Sequence, residues 1–216
     1  MVNPDDFIER YPRLWHMAEE GSWPLIEEHG LLSTTALLDL FEIGGERRFP
    51  LESAHRRRSE TIEHPVYGSA VIRDQKPMNE ITLGKCLLDM TAREWFENLN
   101  RRVFFWPSEE RLERMLAAGA YKTRSHTVLT IDTLALFGEH LGEIALSTIN
   151  SGATFPMGAA PRGSDTFRRL PDFPWDERLS THRHEPAAEL AVDYSVPRVV
   201  GMVADVTRRK AKPKAR

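Results

Sequence analysis

Apolar residues fall in short groups along this chain, and their spacing predicts helices first and strands afterwards. Asn3 can cap a short helix starting at Pro4, because its side chain accepts from open amides and proline's fixed φ suits a first turn. A strand follows at Leu14–Met17. Ser22 caps a helix over Trp23–His29 that stops at Gly30, a residue free to turn left-handed. Thr34 or Thr35 opens Ala36–Ile43, where Leu37, Leu38, Leu40 and Phe41 make an apolar stripe and Gly44-Gly45 ends it. From Arg47 to Pro77 the pattern is mixed and polar, which reads as loop with one extended piece at Ser69–Arg73.

The second half is richer in strands. Helices are expected over Leu83–Met90 and over Ala92–Asn98, the latter capped by Thr91. Arg102–Trp106 reads as a strand stopped by Pro107, and Ser108 caps an amphipathic helix over Glu109–Ala118. Further strands are expected at His126–Ile131, Ile144–Thr148, Ala188–Tyr194 and Val199–Val206, with a short helix at Leu134–His140. Ser151–Arg183 is rich in Gly, Pro and Ser without any period, and a loop of that length in a compact domain is usually functional. The fold class is therefore α+β: N-terminal helices around a sheet of short, mostly antiparallel strands. Residues 1–207 read as one domain, and residues 208–216 as a basic tail expected to be disordered.

Composition narrows the classes. The 216 residues are 41% hydrophobic and 28% charged, ordinary for a soluble globular protein able to bury one core. No apolar run approaches the roughly 20 residues that span a bilayer, and the acidic start lacks a signal-peptide pattern. The single cysteine, Cys86, rules out an internal disulfide and any multi-cysteine metal site. A cytoplasmic location without membrane contact is the expectation. The net charge of -3 gives no general attraction to nucleic acid. Arg56-Arg57-Arg58 and the basic tail are local exceptions that could bind phosphate backbones, and they keep a nucleic-acid-binding reading open.

Motifs for common chemistries are missing: the sequence has no HExxH, GxSxG, GxxxxGK[ST] or GxGxxG. Kinase, P-loop and Rossmann functions drop out, and no metal is expected. Two single residues stand out instead. Glu189 is an acid near the start of the apolar run Ala187–Val192, and His16 sits in the N-terminal strand. Charged groups in apolar surroundings are costly unless they are paired or used.

The stretch Leu14-Trp15-His16-Met17-Ala18, followed by Trp23 to Ser33, resembles the opening of ADP-ribosyltransferase-like domains, where a strand histidine precedes a helix and a Gly-Leu-x-Ser turn. The nearest resemblance is to the DarT-type DNA ADP-ribosyltransferases and an uncharacterised bacterial family beside them. With that family the chain resembles at Leu99–Trp106, Asn150-Ser151-Gly152, Arg162-Gly163, Thr166-Phe167 and Ala188–Val192. Two positions depart from the DarT pattern: Ala18 replaces a threonine, and Phe105-Trp106-Pro107-Ser108-Glu109 replaces an FRPRxPM segment.

The resemblance implies an ADP-ribosyltransferase-like split antiparallel sheet with His16 and Glu189 in one cleft on neighbouring central strands. It implies NAD as substrate, DNA or RNA among the acceptors, and a bacterial toxin or defence role with room for an antitoxin partner. Glu189 would bind a ribose hydroxyl and stabilise an oxocarbenium-like transition state, and His16 would orient the NAD. Pyrophosphate would be held by Arg162 or Arg102, helped by backbone donors at Asn150 and Ser151. Phe105 or Tyr67 would offer an aromatic face to the nicotinamide. A non-catalytic binding module that kept the fold is the alternative.

Overall fold

Capping side chains set most of the helix starts. In the computed structural model, which describes residues 3–154 and 159–212, Asn3 accepts from the Asp5 amide and opens α1 (Pro4–Arg10). β1 (Arg13–Glu19) follows, then α2 (Trp23–His29). Gly30 ends α2 at φ +81°, and a Cβ there would meet the Val196 carbonyl oxygen at 2.5 Å. Glycine alone fits, and the chain passes into β2 (Leu31–Leu32). Ser33, not Thr34 or Thr35, caps α3 (Thr34–Leu40), its hydroxyl accepting from the Ala36 amide at 3.1 Å.

The polar stretch Arg47–Pro77 holds the expected extended piece, at Gly68–Ile72, but the rest is more ordered than the expected loop. It forms α4 (Gly45–Glu52) and a hairpin of β3 (Glu60–His64) and β4 (Gly68–Ile72). Only Ile62, Ala70 and Ile72 of the hairpin are buried, against Leu38, Phe41 and Ile43. So few inward apolar positions leave the outward-facing polar residues to dominate the composition. Asn79 caps α5 (Glu80–Cys86), which starts ahead of the expected Leu83. Thr91 and Glu94 form a reciprocal capping box on α6 (Ala92–Asn100).

β5 (Arg102–Phe105), α7 (Glu109–Leu116), β6 (His126–Asp132), α8 (Thr133–His140) and β7 (Ile144–Ser147) come next, close to the expected ranges. The long loop contains a short β8 (Arg168–Arg169) and α9 (Trp175–Thr181); its residues 155–158 lie outside the described residues. β9 (Glu189–Asp193) and β10 (Ser195–Val196) follow. Val199–Met202 is a 3-10 turn rather than a strand, and β11 (Val203–Arg209) begins after it. Arg208 and Arg209 therefore belong to the sheet, in register with Thr127 and His126, and not to a tail. The expected tail residues 213–216 lie outside the described residues.

The architecture is α+β with antiparallel sheets throughout. One sheet has the order β1-β6-β11 and another β5-β9-β7-β8; two smaller pairs are β10-β2 and β3-β4. The edges β1 and β5 meet through a single antiparallel bridge, Trp15 with Trp106, with N–H···O distances of 3.0 and 2.8 Å. Leu14, Val103, Phe105, Leu129, Leu146, Leu190 and Val192 share the main core with Phe7, Phe173 and Trp175. Among the described residues no helix is long and apolar enough to cross a membrane.

Gly30→Ala combines a left-handed φ with a backbone clash, so it should destabilise the protein by about 2–3 kcal/mol. Chemical denaturation reads this directly; an unchanged midpoint would show that the β2–β10 approach tolerates a methyl group.

Candidate functional site

Beyond the Trp15–Trp106 bridge, β1 and β5 part company. His16 fills the gap. Its Nδ1 lies 2.9 Å from the Phe104 carbonyl oxygen, and its ring is 5.7 Å from that of Phe105. A carbonyl only accepts, so Nδ1 carries the hydrogen and Nε2 keeps a lone pair. Burial lowers the His16 pKa to about 4, with the nearby Arg73 charge adding and the Phe104 carbonyl opposing. The imidazole is therefore neutral near pH 7 and offers one acceptor nitrogen.

Glu189 opens β9 and is buried, at 2% exposure. Its Oε2 accepts from the Ser151 amide at 3.1 Å. Burial pushes its pKa up to about 7, while the Ser151 hydrogen bonds and the Arg111 and Arg162 charges pull the other way. A carboxyl poised between its two states near neutrality is characteristic of functional positions as well as of buried polar networks.

His16 and Glu189 line one cavity of about 680 Å³. They are not on neighbouring strands: β5 lies between β1 and β9. Strand alternation alone would also separate them, since His16 keeps the side of Leu14 and Phe105, whereas Glu189 alternates with Leu190. What unites them is the seam, where the diverging sheets open the cavity to both.

Tyr67, Arg102, Asn150 and Ser151 also line the cavity. Tyr67 is stacked on His64 and stands edge-on to His29. The Arg102 guanidinium is already engaged: Nε is 3.2 Å from Asp193 Oδ1, Nη1 bonds Asn98, and the group lies over the Phe167 ring. The Ser151 amide donates to Glu189, so Asn150–Gly152 supports the carboxylate and is not an open anion nest. Two further expectations are corrected. Phe105 is fully buried in the core and does not border the cavity; its neighbour Phe104 does. Arg162 points inward, but to the carbonyl oxygens of Ser151, Ala153 and Ala160 at 2.9, 3.1 and 3.2 Å, so it holds the loop and does not face the cavity. Phe167 does anchor that segment, against Trp95 and Phe104.

Two cavity residues escaped the sequence reading, Arg73 and Glu19. Both ends of a strand looked like ordinary polar boundaries, and no spacing linked them. Of the arginine triplet only Arg56 is withdrawn from the surface; Arg57 and Arg58 are exposed. Arg56 is 7% exposed and bonds the Arg73 carbonyl and Asn100 Oδ1, and Arg57 pairs with Glu80. At the other end Arg208 pairs with Glu20, and Arg209 with Glu109.

The chain belongs to the family described as a family of unknown function, DUF7002, whose model matches residues 12–203. Neither the curated proteins nor the solved structures yield a match.

The two perturbed groups act on stability in opposite directions over overlapping pH windows. His16 is harder to protonate folded, at about 4, than unfolded, at 6.5, so stability is lost as pH falls through that interval. His16→Asn should remove up to about 3 kcal/mol of this acid sensitivity. Glu189 binds its proton more tightly folded, at about 7 against 4.5, so its contribution is lost as pH rises between those values. Denaturant titrations of wild type and His16→Asn at pH 4, 5.5 and 7 check the first window; parallel curves would refute a buried neutral histidine.

Proposed function

We propose that this member of a family of unknown function is an ADP-ribosyltransferase-like protein that binds NAD in the seam cavity and transfers ADP-ribose, with Glu189 and His16 as the central residues. The observation that carries the reading is the shared cavity: one buried carboxylate and one neutral imidazole acceptor at the point where two antiparallel sheets separate. A parting between β1 and β5 suits the split sheet of that fold. The cavity volume also lies within the roughly 300–1,000 Å³ of small-molecule and cofactor sites.

The chemistry needs few groups. The bond between ribose C1′ and the pyridinium nitrogen breaks, its electron pair leaves with neutral nicotinamide, and an acceptor atom then bonds to C1′. Glycosidases require a second carboxyl to protonate a poor leaving group; a pyridinium does not. Glu189 in its ionised form holds a ribose hydroxyl and balances positive charge as it develops at C1′. His16 Nε2 accepts from a ribose hydroxyl and fixes the NAD conformation. In this reading the acceptor is nucleic acid, and the role is that of a bacterial toxin or defence effector, countered by an antitoxin.

A non-catalytic binding module is the second reading. Ala18 favours it, as does the internal engagement of Arg56, Arg102 and Arg162, which leaves those cations poorly placed to hold a pyrophosphate. Incubation with labelled NAD, alone and with DNA or RNA, separates the two by nicotinamide release and label transfer.

Glu189→Gln should lower kcat by about 10²–10³, the scale of losing one transition-state stabiliser, with little change in NAD affinity. Because the active form is ionised and the pKa is about 7, kcat/KM should fall about tenfold per pH unit below that value and level off above it. A pH-rate profile that is flat from 5 to 8, or an unimpaired folded Glu189→Gln, would remove Glu189 from this role.

A further inference from the structure

The cavity has a second polar end. Glu19, the last residue of β1, and Arg73, just after β4, both line it and keep 18% and 21% of their side-chain exposure. Each has one half engaged. Glu19 Oε1 takes a hydrogen bond from Arg124, and Arg73 Nη1 donates to the Met17 carbonyl oxygen at 2.7 Å. Each has another atom that is closed off from solvent and has no hydrogen-bond partner among the described residues: Oε2 of Glu19 and Nη2 of Arg73. The nearest approach of the two groups is 3.8 Å, between Nε and Oε2, too long for a hydrogen bond. Buried polar atoms are nearly always partnered, so an unused acceptor and an unused donor at one cavity end call for a ligand.

The walls there are largely apolar. Tyr121 lies under the Arg73 guanidinium at 4.9 Å, and Met17, Trp106 and Met115 pack in the same group and also face the cavity. Other charges nearby are already paired within the protein: Asp74 receives the Tyr121 hydroxyl and lies 3.4 Å from Lys76, and Arg124 lies 3.7 Å from Asp74. An acceptor and a donor side by side against an aromatic ring suit a planar edge that presents N–H beside an acceptor atom. Carboxamides and nucleobases have such an edge.

We propose that Glu19 and Arg73 form a recognition subsite for a planar amide-type edge, either a nicotinamide carboxamide or a nucleobase, in the cavity that also holds His16 and Glu189. A turn of the two side chains brings these closed-off atoms to the cavity, where Glu19 Oε2 accepts the ligand N–H and Arg73 Nη2 donates to the adjacent ligand acceptor. Glu19 lies three positions along β1 from His16, about 10 Å at strand rise, and the odd spacing sends the two side chains to opposite faces, so a ligand with its ribose at His16 and its base at Glu19 passes round the β1 edge. The subsite uses the cavity of the proposed NAD reading but not its transfer chemistry, so binding without turnover tests it.

The experiment is calorimetric or ligand-detected NMR titration of the full chain with matched pairs. Nicotinamide is compared with 3-acetylpyridine, in which a methyl replaces the N–H₂, and adenosine with purine riboside, which lacks the amino group. The expected result is a preference of about tenfold or more for the N–H-bearing member of one pair, the scale of one hydrogen bond to a charged group. The pair that shows the preference identifies the ligand class. Glu19→Ala should erase that preference, and Arg73→Lys should weaken the preferred ligand about tenfold, with thermal melts confirming that both variants fold. Equal affinity within both pairs for the wild type overturns the subsite whatever the variants do, as does a preference that survives in folded Glu19→Ala. Failure here with nicotinamide release intact would leave the transferase reading standing; the reverse outcome would leave a binding cavity without transfer.

Discussion

A single backbone bridge, Trp15 with Trp106, holds the two main sheets edge to edge. A longer ladder between β1 and β5 would make one continuous sheet, with strand pairing satisfying every edge group and no gap for a side chain. Stopping after one pair leaves the Phe104 carbonyl without a strand partner, and His16 Nδ1 supplies the missing donor. That substitution has a consequence for charge. An imidazole whose only hydrogen is held by a carbonyl in buried surroundings stays neutral, so the seam gains an acceptor nitrogen and no cation.

Glu189 is held by the opposite means, a loop pressed onto it. The Arg162 guanidinium gathers the carbonyl oxygens of Ser151, Ala153 and Ala160, which fixes the turn so that the Ser151 amide faces the carboxylate. Arg162 is itself secured in the chain, because its amide and carbonyl bond to Cys86 and Leu88 beside the end of α5. Next to it, Gly163 leaves room for Asp89, whose oxygen would lie 2.1 Å from any Cβ at that position. The carboxylate is thus positioned by a stack of contacts reaching from α5 through the long loop to β9. Removing Arg162 would loosen the turn before it changed any ligand contact.

Local chemistry made much of the fold legible from sequence. Asn3, Thr91 and Ser108 announced their helices because a cap acts within three residues. Arg102–Phe105 and Glu189–Asp193 read as strands because both are apolar runs of suitable length. Of the hairpin at Glu60–Ile72 only the second strand was legible, as an extended piece; β3 was hidden, since the hairpin buries so few side chains that polar residues set its composition. The buried Arg56 was hidden for a related reason: a charge satisfied by the Leu51 and Arg73 carbonyls and Asn100 looks, in sequence, like a solvated one. Glu189 and His16 could be singled out because an ionisable residue in an apolar run is conspicuous. Glu19 and Arg73 could not, because their meeting depends on how the β3–β4 hairpin lies against the end of β1, which is a tertiary fact.

The cavity's charge distribution bears on what it can hold. Its arginines are mostly committed to carbonyls and carboxylates of the protein, so the lining offers few free cations and several acceptor side chains: His16, Glu189 and Glu19. Acceptors of this kind bind hydroxyl and N–H donors well and repel dense negative charge. The sugar and base portions of a nucleotide match that lining, whereas its phosphates do not. Phosphates would have to lie toward the open side of the cavity, where water screens them, and affinity would then come from the ribose and the ring.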